Sequence, residues 1–192
     1  MKKHLFLFTI SPVQSFIAQA RKTQDLYAGS RILSELIKSA YNFVGETNII
    51  FPAKESESMS NRLLAVIDKP ENELKQYGIK VESVVREKFK EIANKIIGET
   101  VKPIGFDEQI ANHLEIYWVF NKIANENYTI EEYKQTEKLL GAVKNARIFK
   151  QIEYNGNIGE KGRKCSLDGE RNALFFKPIQ NENGELKKPS FL

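Results

Sequence analysis

The sequence has little of what marks several classes of protein. Cysteine occurs once among 192 residues, which excludes an internal disulfide framework and fits a reducing compartment. No apolar run approaches the ~18 residues that a membrane-spanning helix needs. Positive charge barely exceeds negative charge. The 29 lysines and arginines against 25 acidic residues leave a net charge of +4, which is weak evidence for a nucleic-acid partner.

The first residues also lack the features of a secretory signal. Met1-Lys2-Lys3 is followed only by a short apolar stretch, 4–10, with no small-residue cleavage site nearby. We therefore expect no signal peptide and no membrane partner, and we expect the protein to be cytoplasmic. The length suits one domain with a small appendage.

The clearest positive feature is a buried-type strand that runs into a helix with no glycine between them. His4 to Ile10 is apolar on both faces, as a central strand should be. Ser11 then suits the N-cap, Pro12 the first helical position and Gln14 the third, which is the spacing of a capping box. A helix that starts there presents free N–H groups to a nucleotide phosphate. A plain capped helix start has the same pattern, so the residues alone leave both interpretations open.

The rest of the chain alternates strands and helices. The order strand, helix, strand, strand, helix, strand, helix predicts an α+β fold of the ferredoxin-like type (βαββαβ with additional helices). Palm domains of the polymerase/nucleotide-cyclase type have this core, as do many proteins with unrelated functions. Gly29 is expected to kink the first helix or to allow close packing, and Gly78 is expected to divide the second. The predicted elements are strand 4–10, helix 12–44, strands 47–51 and 62–67, helix 70–98, short helix 106–114, strand 115–123 and helix 129–147.

The stretch 10–30, ISPVQSFIAQARKTQDLYAGS, resembles the opening of the large subunit of type III-B, Cmr-type, CRISPR effector complexes. In that family it begins the first of two palm domains, and ATP is bound at the interface between them. The resemblance implies Mg²⁺ and ATP as cofactors of the complete subunit. It also implies a nucleotide-binding role for Ser11, Pro12, Val13, Gln14, Ser15 and Phe16.

Arg21 and Lys22 follow on the polar face of the first predicted helix and are candidate contacts for a polyanion. A solvated helix surface is the commoner reason for such residues. Weaker stretches of the same resemblance lie at 61–65 and 164–174.

After residue 150 the apolar periodicity is lost, and glycine, asparagine and proline dominate. The segment around 164–171 resembles the zinc-binding region that follows the first palm, where the family has Cys-x-x-Cys. Here Cys165 is followed by Asp168 at the second cysteine position, so we doubt zinc and expect a free thiol. We therefore predict a degenerate first palm domain at 1–150. Residues 151–192 are predicted to be a loop-rich linker, the start of an incomplete zinc-binding region.

Two motifs of the family's chemistry are missing. The Gly-Gly-Asp-Asp sequence of the second, catalytic palm and the His-Asp pair of the nuclease domain do not occur. The family subunit is a nucleotidyltransferase that makes cyclic oligoadenylate from ATP, whereas this chain is expected to be a non-catalytic palm that supplies part of the ATP pocket. Its expected partners are the second palm of the same subunit, the other subunits of the complex and, indirectly, guide and target RNA.

Two alternative functions stay open. An autonomous nucleotide cyclase or polymerase-like enzyme needs acidic residues at its strand ends to hold Mg²⁺, yet the first strand ends Thr9-Ile10-Ser11. An RNA-binding or scaffolding ferredoxin-like module has no nucleotide role. Tyr117, Trp118 and Phe120 fit a core better than a base-stacking platform, because apolar residues fill the positions between them.

Overall fold

A four-stranded antiparallel sheet forms the centre of the molecule. The computed structural model describes residues 3–13, 20, 22–53, 58–99, 101–146, 153–154, 157–158, 162–165, 171–175, 179–180 and 186–187. The strands of this sheet are β1 (Lys3–Ser11), β2 (Ile49–Phe51), β3 (Arg62–Asp68) and β4 (Glu115–Lys122). The helices are α1 (Thr23–Val44), α2 (Glu71–Ile97), α3 (Phe106–His113) and α4 (Ile130–Asn145).

The strand order is β2-β3-β1-β4, with β1 antiparallel to both of its neighbours. In the β1-α1-β2 unit, β3 therefore lies between the two strands. In the β3-α2-β4 unit, β1 lies between the two strands. Two such split βαβ units define the ferredoxin-like fold. The predicted α+β, ferredoxin-like architecture is thus confirmed.

The two faces of the sheet are covered by different helices. Even-numbered residues of β1, such as Phe6 and Phe8, point into the larger core together with α1 and α2. Odd-numbered residues, such as Leu5 and Leu7, form a smaller core with Leu140 of α4. Because both faces are packed, every residue of β1 from His4 to Ile10 is buried, as expected for a central strand.

α1 runs without interruption through Gly29, which is buried, as close packing at that residue allows. The predicted division of the second helix at Gly78 is wrong, because α2 also runs through it without interruption. Gly78 is instead a packing residue, because a Cβ at this position would lie only 2.6 Å from ring carbons of Trp118 on β4. A glycine in a helix can thus mark a close approach instead of an end.

Beyond α4 the structure describes only short pieces. Two-residue strands pair as β5 (Glu153–Tyr154) with β6 (Asn157–Ile158) and as β7 (Ile179–Gln180) with β8 (Leu186–Lys187). None of the helices in the described part of the chain has the length and apolar character that crossing a membrane requires.

Candidate functional site

The candidate site lies at the carboxyl end of β1, one of the two central strands of the sheet. Ser11 still belongs to the ladder and pairs with Glu115 of β4. Pro12 and Val13 follow as non-helical residues, half-buried like Ser11, and Val13 packs against the larger core. The structure therefore places Ser11, Pro12 and Val13 at the end of the sheet where β1 finishes. Gln14, Ser15 and Phe16 lie outside the described residues.

The predicted helix start at Pro12 is wrong. Ser11 ends the ladder with β4, and Pro12 and Val13 after it are not helical, so the capping signal at this junction opens no helix there. Ala20 is also not helical, so the single helix expected over 12–44 does not exist. The described helix begins at Thr23.

Asp25, in the first turn of α1, caps the amino-terminal end of that helix. The backbone N–H of Lys22 donates to Oδ2 of Asp25 at 3.1 Å, and both residues are exposed. A carboxylate in the first turn favours the positive end of the helix dipole and competes with any phosphate for it. Lys22 therefore stays a candidate polyanion contact through its side chain, while Arg21 lies outside the described residues.

The connection between β2 and β3 returns to the carboxyl end of β1 and is fixed there by hydrogen bonds. The backbone N–H of Ile10 donates to the carbonyl oxygen of Asn61 at 3.0 Å, and Nδ2 of Asn61 donates to the carbonyl oxygen of Ile10 at 3.0 Å. Buried Ser34 of α1 accepts from the backbone N–H of Met59 at 3.2 Å. The end of β1, the body of α1 and the segment 58–61 therefore form one rigid corner.

A carboxylate that the sequence did not reveal stands at this corner. Glu115 is the residue opposite Ser11, and the hydroxyl of Tyr117 donates to its Oε2 at 3.3 Å. The first strand has no acidic residue at its own end, so the carboxylate comes from the start of β4. Only the antiparallel pairing of β1 with β4 places it there, which is why strand composition alone missed it.

A second polar cluster lies on the α4 face of the sheet. Nη2 of Arg62 donates to Oε2 of Glu137 at 2.6 Å, and the hydroxyl of Tyr133 donates to Oε1 at 2.7 Å. Burial raises the pKa of Glu137, but the bonds from Tyr133 and Arg62 outweigh it, so the pKa lies below its usual value. The bond to Glu137 raises the pKa of Tyr133. The cluster lines a cavity of about 330 Å³, and it fastens α4 to β3.

Cys165 lies in a short hairpin. Its N–H donates to the carbonyl oxygen of Arg171 at 2.7 Å, and the N–H of Ala173 donates to that of Arg163 at 2.8 Å. Nε2 of Gln109 on α3 donates to the carbonyl oxygen of Asn172 at 2.9 Å, which docks the hairpin on the palm.

The donor set does not fit a structural zinc ion. Such ions take four ligands, nearly all thiolate and imidazole, and the chain has a single cysteine and two histidines. Asp168 lies outside the described residues. Among the residues that are described, no three histidine, cysteine, aspartate or glutamate side chains are grouped so as to hold a metal.

Comparison with known proteins gives a family match over the first half of the chain. Residues 5–98 match the family model described as CRISPR-associated protein Cmr2, N-terminal. No curated protein sequence matches the chain. This matched range includes the end of β1, the whole of α1 and the segment 58–61.

Solved structures of larger proteins are similar to this chain. A Csm1-Csm4 cassette in complex with AMPPNP matches with 14% identity and a TM-score of 0.47, over 76% of this chain and 19% of that one. The cassette in complex with cA3 matches over the same shares, with 14% identity and a TM-score of 0.45. Csm1 in T. onnurineus matches with 11% identity and a TM-score of 0.41, over 97% of this chain and 30% of its own. The chain therefore spans less than a third of the length of these proteins.

Proposed function

Because residues 5–98 match the family model of the amino-terminal region of CRISPR-associated protein Cmr2, we propose that this chain is the first, non-catalytic palm of a type III-B large subunit. The match agrees with the resemblance of residues 10–30. In this proposal the end of β1 supplies one wall of an ATP pocket that serves cyclic oligoadenylate synthesis. The second palm of the same subunit supplies the other wall.

The observation that carries this proposal is the position of Ser11, Pro12 and Val13. Ser11 ends a central strand and Pro12 and Val13 follow it, within the family-matched range, at a corner held by Asn61 and by the contact of Ser34 with Met59. A binding wall needs such fixed supports, because a ligand contact that must first be ordered loses affinity. Gln14, Ser15 and Phe16 continue the proposed nucleotide-binding segment.

Glu115 fits a nucleotide-bound Mg²⁺ better than a catalytic metal pair. Mg²⁺ in nucleotide sites is commonly held by one or two carboxylates together with the phosphates, and it would neutralise their charge. Glu115 is the one carboxylate that the pairing places opposite Ser11. Phosphoryl or nucleotidyl transfer needs further acidic residues, which the second palm would bring with its Gly-Gly-Asp-Asp sequence.

The two-part division of the chain also belongs to the proposal. Residues 1–150 form the palm, and 151–192 form a linker that leads towards an incomplete zinc-binding region. The docking of Asn172 on Gln109 supports a linker that lies against the palm. Other subunits of the effector complex are the expected neighbours, with guide and target RNA reached through them.

Calorimetric titration of ATP and Mg²⁺ tests the proposal, first on the chain alone and then with a second palm domain added. We expect weak or no binding by the chain alone and binding once the second palm is present. Ser15→Ala and Glu115→Gln should weaken the binding by about tenfold or more, since each removes a polar contact worth about 1.4 kcal/mol. Glu91→Gln, an exposed change in α2, is the matched control and should leave the affinity unchanged.

The alternatives give different results in the same experiment. Metal-dependent ATP turnover by the isolated chain would show an autonomous cyclase or polymerase-like enzyme. RNA binding that weakens steeply with salt, without any response to ATP in the presence of the second palm, would show an RNA-binding or scaffolding module. Either result overturns the proposed role in an ATP pocket.

A further inference from the structure

Among the described residues, no strand lies beyond the outer edge of β4. β4 is the last strand of the sheet, and its register with β1 is unbroken over all of its eight residues. The N–H of Ile123 donates to the carbonyl oxygen of Lys3, which fixes the odd-numbered residues of β4 as those that bond to β1. The even-numbered residues therefore direct their N–H and C=O groups away from the sheet. These residues are Ile116, Trp118, Phe120 and Lys122.

No residue in the described part of the chain pairs with these outward groups. Proteins usually protect an edge strand by keeping it short, by proline, by a bulge or by an inward-pointing charge. The opposite edge, β2, has such protection, because it is three residues long, its register with β3 shifts, and Pro52 follows it. β4 has none, and its two charged residues stand at its ends.

Helix α4 adds apolar surface beside this free edge. Glu137 points towards β3, where it meets Arg62, and the next turn of the helix buries Leu140 against the sheet. By helical spacing, Leu139 and Val143 lie on the other side of Leu140 from Glu137. Because Glu137 faces β3, Leu139 and Val143 lie towards the outer edge of β4. They are 39% and 42% exposed. The edge and this α4 row, Leu139 and Val143, form one continuous surface.

We propose that a second copy of this chain covers that surface, with β4 pairing antiparallel to β4 of its partner. In a register centred on Val119, Ile116 of one copy lies opposite Lys122 of the other, and Trp118 lies opposite Phe120. Every outward N–H and C=O group of these residues then has a hydrogen-bond partner. Trp118 and Phe120 are already in edge-to-face contact within one chain, at 5.8 Å between centroids. In the dimer, Trp118 of one copy would also contact Phe120 of the other copy across the two paired strands. Aromatic cross-strand pairs of this kind stabilise a sheet.

The surface is suited to its own copy because a two-fold axis requires self-complementarity. An apolar centre with charges only at the ends meets itself without placing like charges opposite each other. The same axis brings the α4 row of one copy against the α4 row of the other on one face of an eight-stranded sheet. β4 and α4 lie outside the family-matched range 5–98, and the residues changed in the tests below, Val119, Leu139 and Val143, are not among those proposed to bind ATP.

Sedimentation velocity of the purified chain at several concentrations tests the dimer. We expect a species of twice the 22.1 kDa chain mass that dissociates on dilution. Leu139→Glu combined with Val143→Glu should give the single-chain mass, because four glutamates would then face one another across the axis. Ile96→Glu is the matched control. It changes an isoleucine that is 76% exposed at the end of α2, and it should leave the dimer intact.

Disulfide cross-linking tests the register. In a Cys165→Ser background, Val119→Cys places two thiols opposite each other on the axis, within disulfide reach, and should give a covalent dimer. Tyr117→Cys should not, because residue 117 lies opposite residue 121 of the partner. A chain that sediments as a monomer throughout overturns the proposal. A dimer that survives the double glutamate change, or that cross-links through position 117, also overturns it.

Discussion

Gly78 of α2 lies directly against the indole ring of Trp118 of β4. A Cβ placed on Gly78 would come within 2.6 Å of two ring carbons, which is closer than real Cβ contacts come. The ring cannot move away easily, because its Nε1 donates to Oε2 of Glu82 at 3.1 Å and its other side contacts Phe120. This contact sets how closely α2 approaches the sheet.

Gly78→Ala should therefore destabilise the protein, although alanine is the better helix former. Alanine gains about 1 kcal/mol in helix propensity, whereas overpacking at a fixed ring costs about 1–3 kcal/mol and forces α2 outward. Chemical denaturation monitored by Trp118 fluorescence would show a lower midpoint and an altered emission maximum. Gly141→Ala is the control. A Cβ there meets no atom within 4 Å, so that change should raise the free energy of unfolding.

Arg86→Ala should cost about 1.5–3 kcal/mol in the free energy of unfolding. Nε of Arg86 donates to Glu82 at 2.8 Å, and Nη1 donates to the carbonyl oxygens of Ala111 and Leu114, each at 3.2 Å. One side chain thus holds the carboxyl end of α3 to α2, just before β4 begins.

Urea denaturation of the Arg86→Ala protein checks this expectation. Lys88→Ala is the control, because the exposed pair of Lys88 with Glu91 should contribute no more than about 0.5 kcal/mol. Equal losses in the two variants would contradict the role assigned to Arg86.

The sequence predicts a structural feature well when neighbouring residues determine it, and less well when residues distant in the chain do. The apolar run of β1 and the helix that begins after Thr129 are local features, and both were predicted correctly. Gly78 was misread as a helix break because its reason for being glycine is Trp118, forty residues away. The helix start at Pro12 failed although its signal is local, and Glu115 was missed because only the pairing of β4 with β1 places it opposite Ser11. The corner of the candidate site depends on such distant pairs, and so only part of it could be predicted.

Asn61→Ala should loosen that corner. The change removes the bond from Nδ2 to the carbonyl oxygen of Ile10, which is worth about 1 kcal/mol, and it frees segment 58–61 from the end of β1. Hydrogen exchange should accelerate at Ile10 and Met59 more than in β4. Asn72→Ala, an exposed change in the first turn of α2, is the control and should leave exchange at both positions as it was. Unchanged protection in the Asn61 variant would show that the backbone pairing alone holds the corner.

Glu132→Gln should reduce the loss of stability that accompanies acidification. The pKa of Glu132 is lowered by hydrogen bonds from the backbone N–H groups of Ala124 and Thr129 and from the Thr129 hydroxyl. Since the folded pKa lies below the unfolded one, the stabilisation is present above the unfolded value of 4.5. It is lost as the pH falls through the folded pKa.

Denaturation measured from about pH 6 down to about pH 3 would show this as a shallower decline in the variant, because a neutral amide does not titrate. Glu131→Gln is the matched control in the same helical turn. Glu131 makes none of these three bonds, so the decline should match that of the parent protein. If the two variants decline alike, the capping bonds of Glu132 are not the source of the acid sensitivity, and α4 is held by its apolar contacts with β1 and β4 instead.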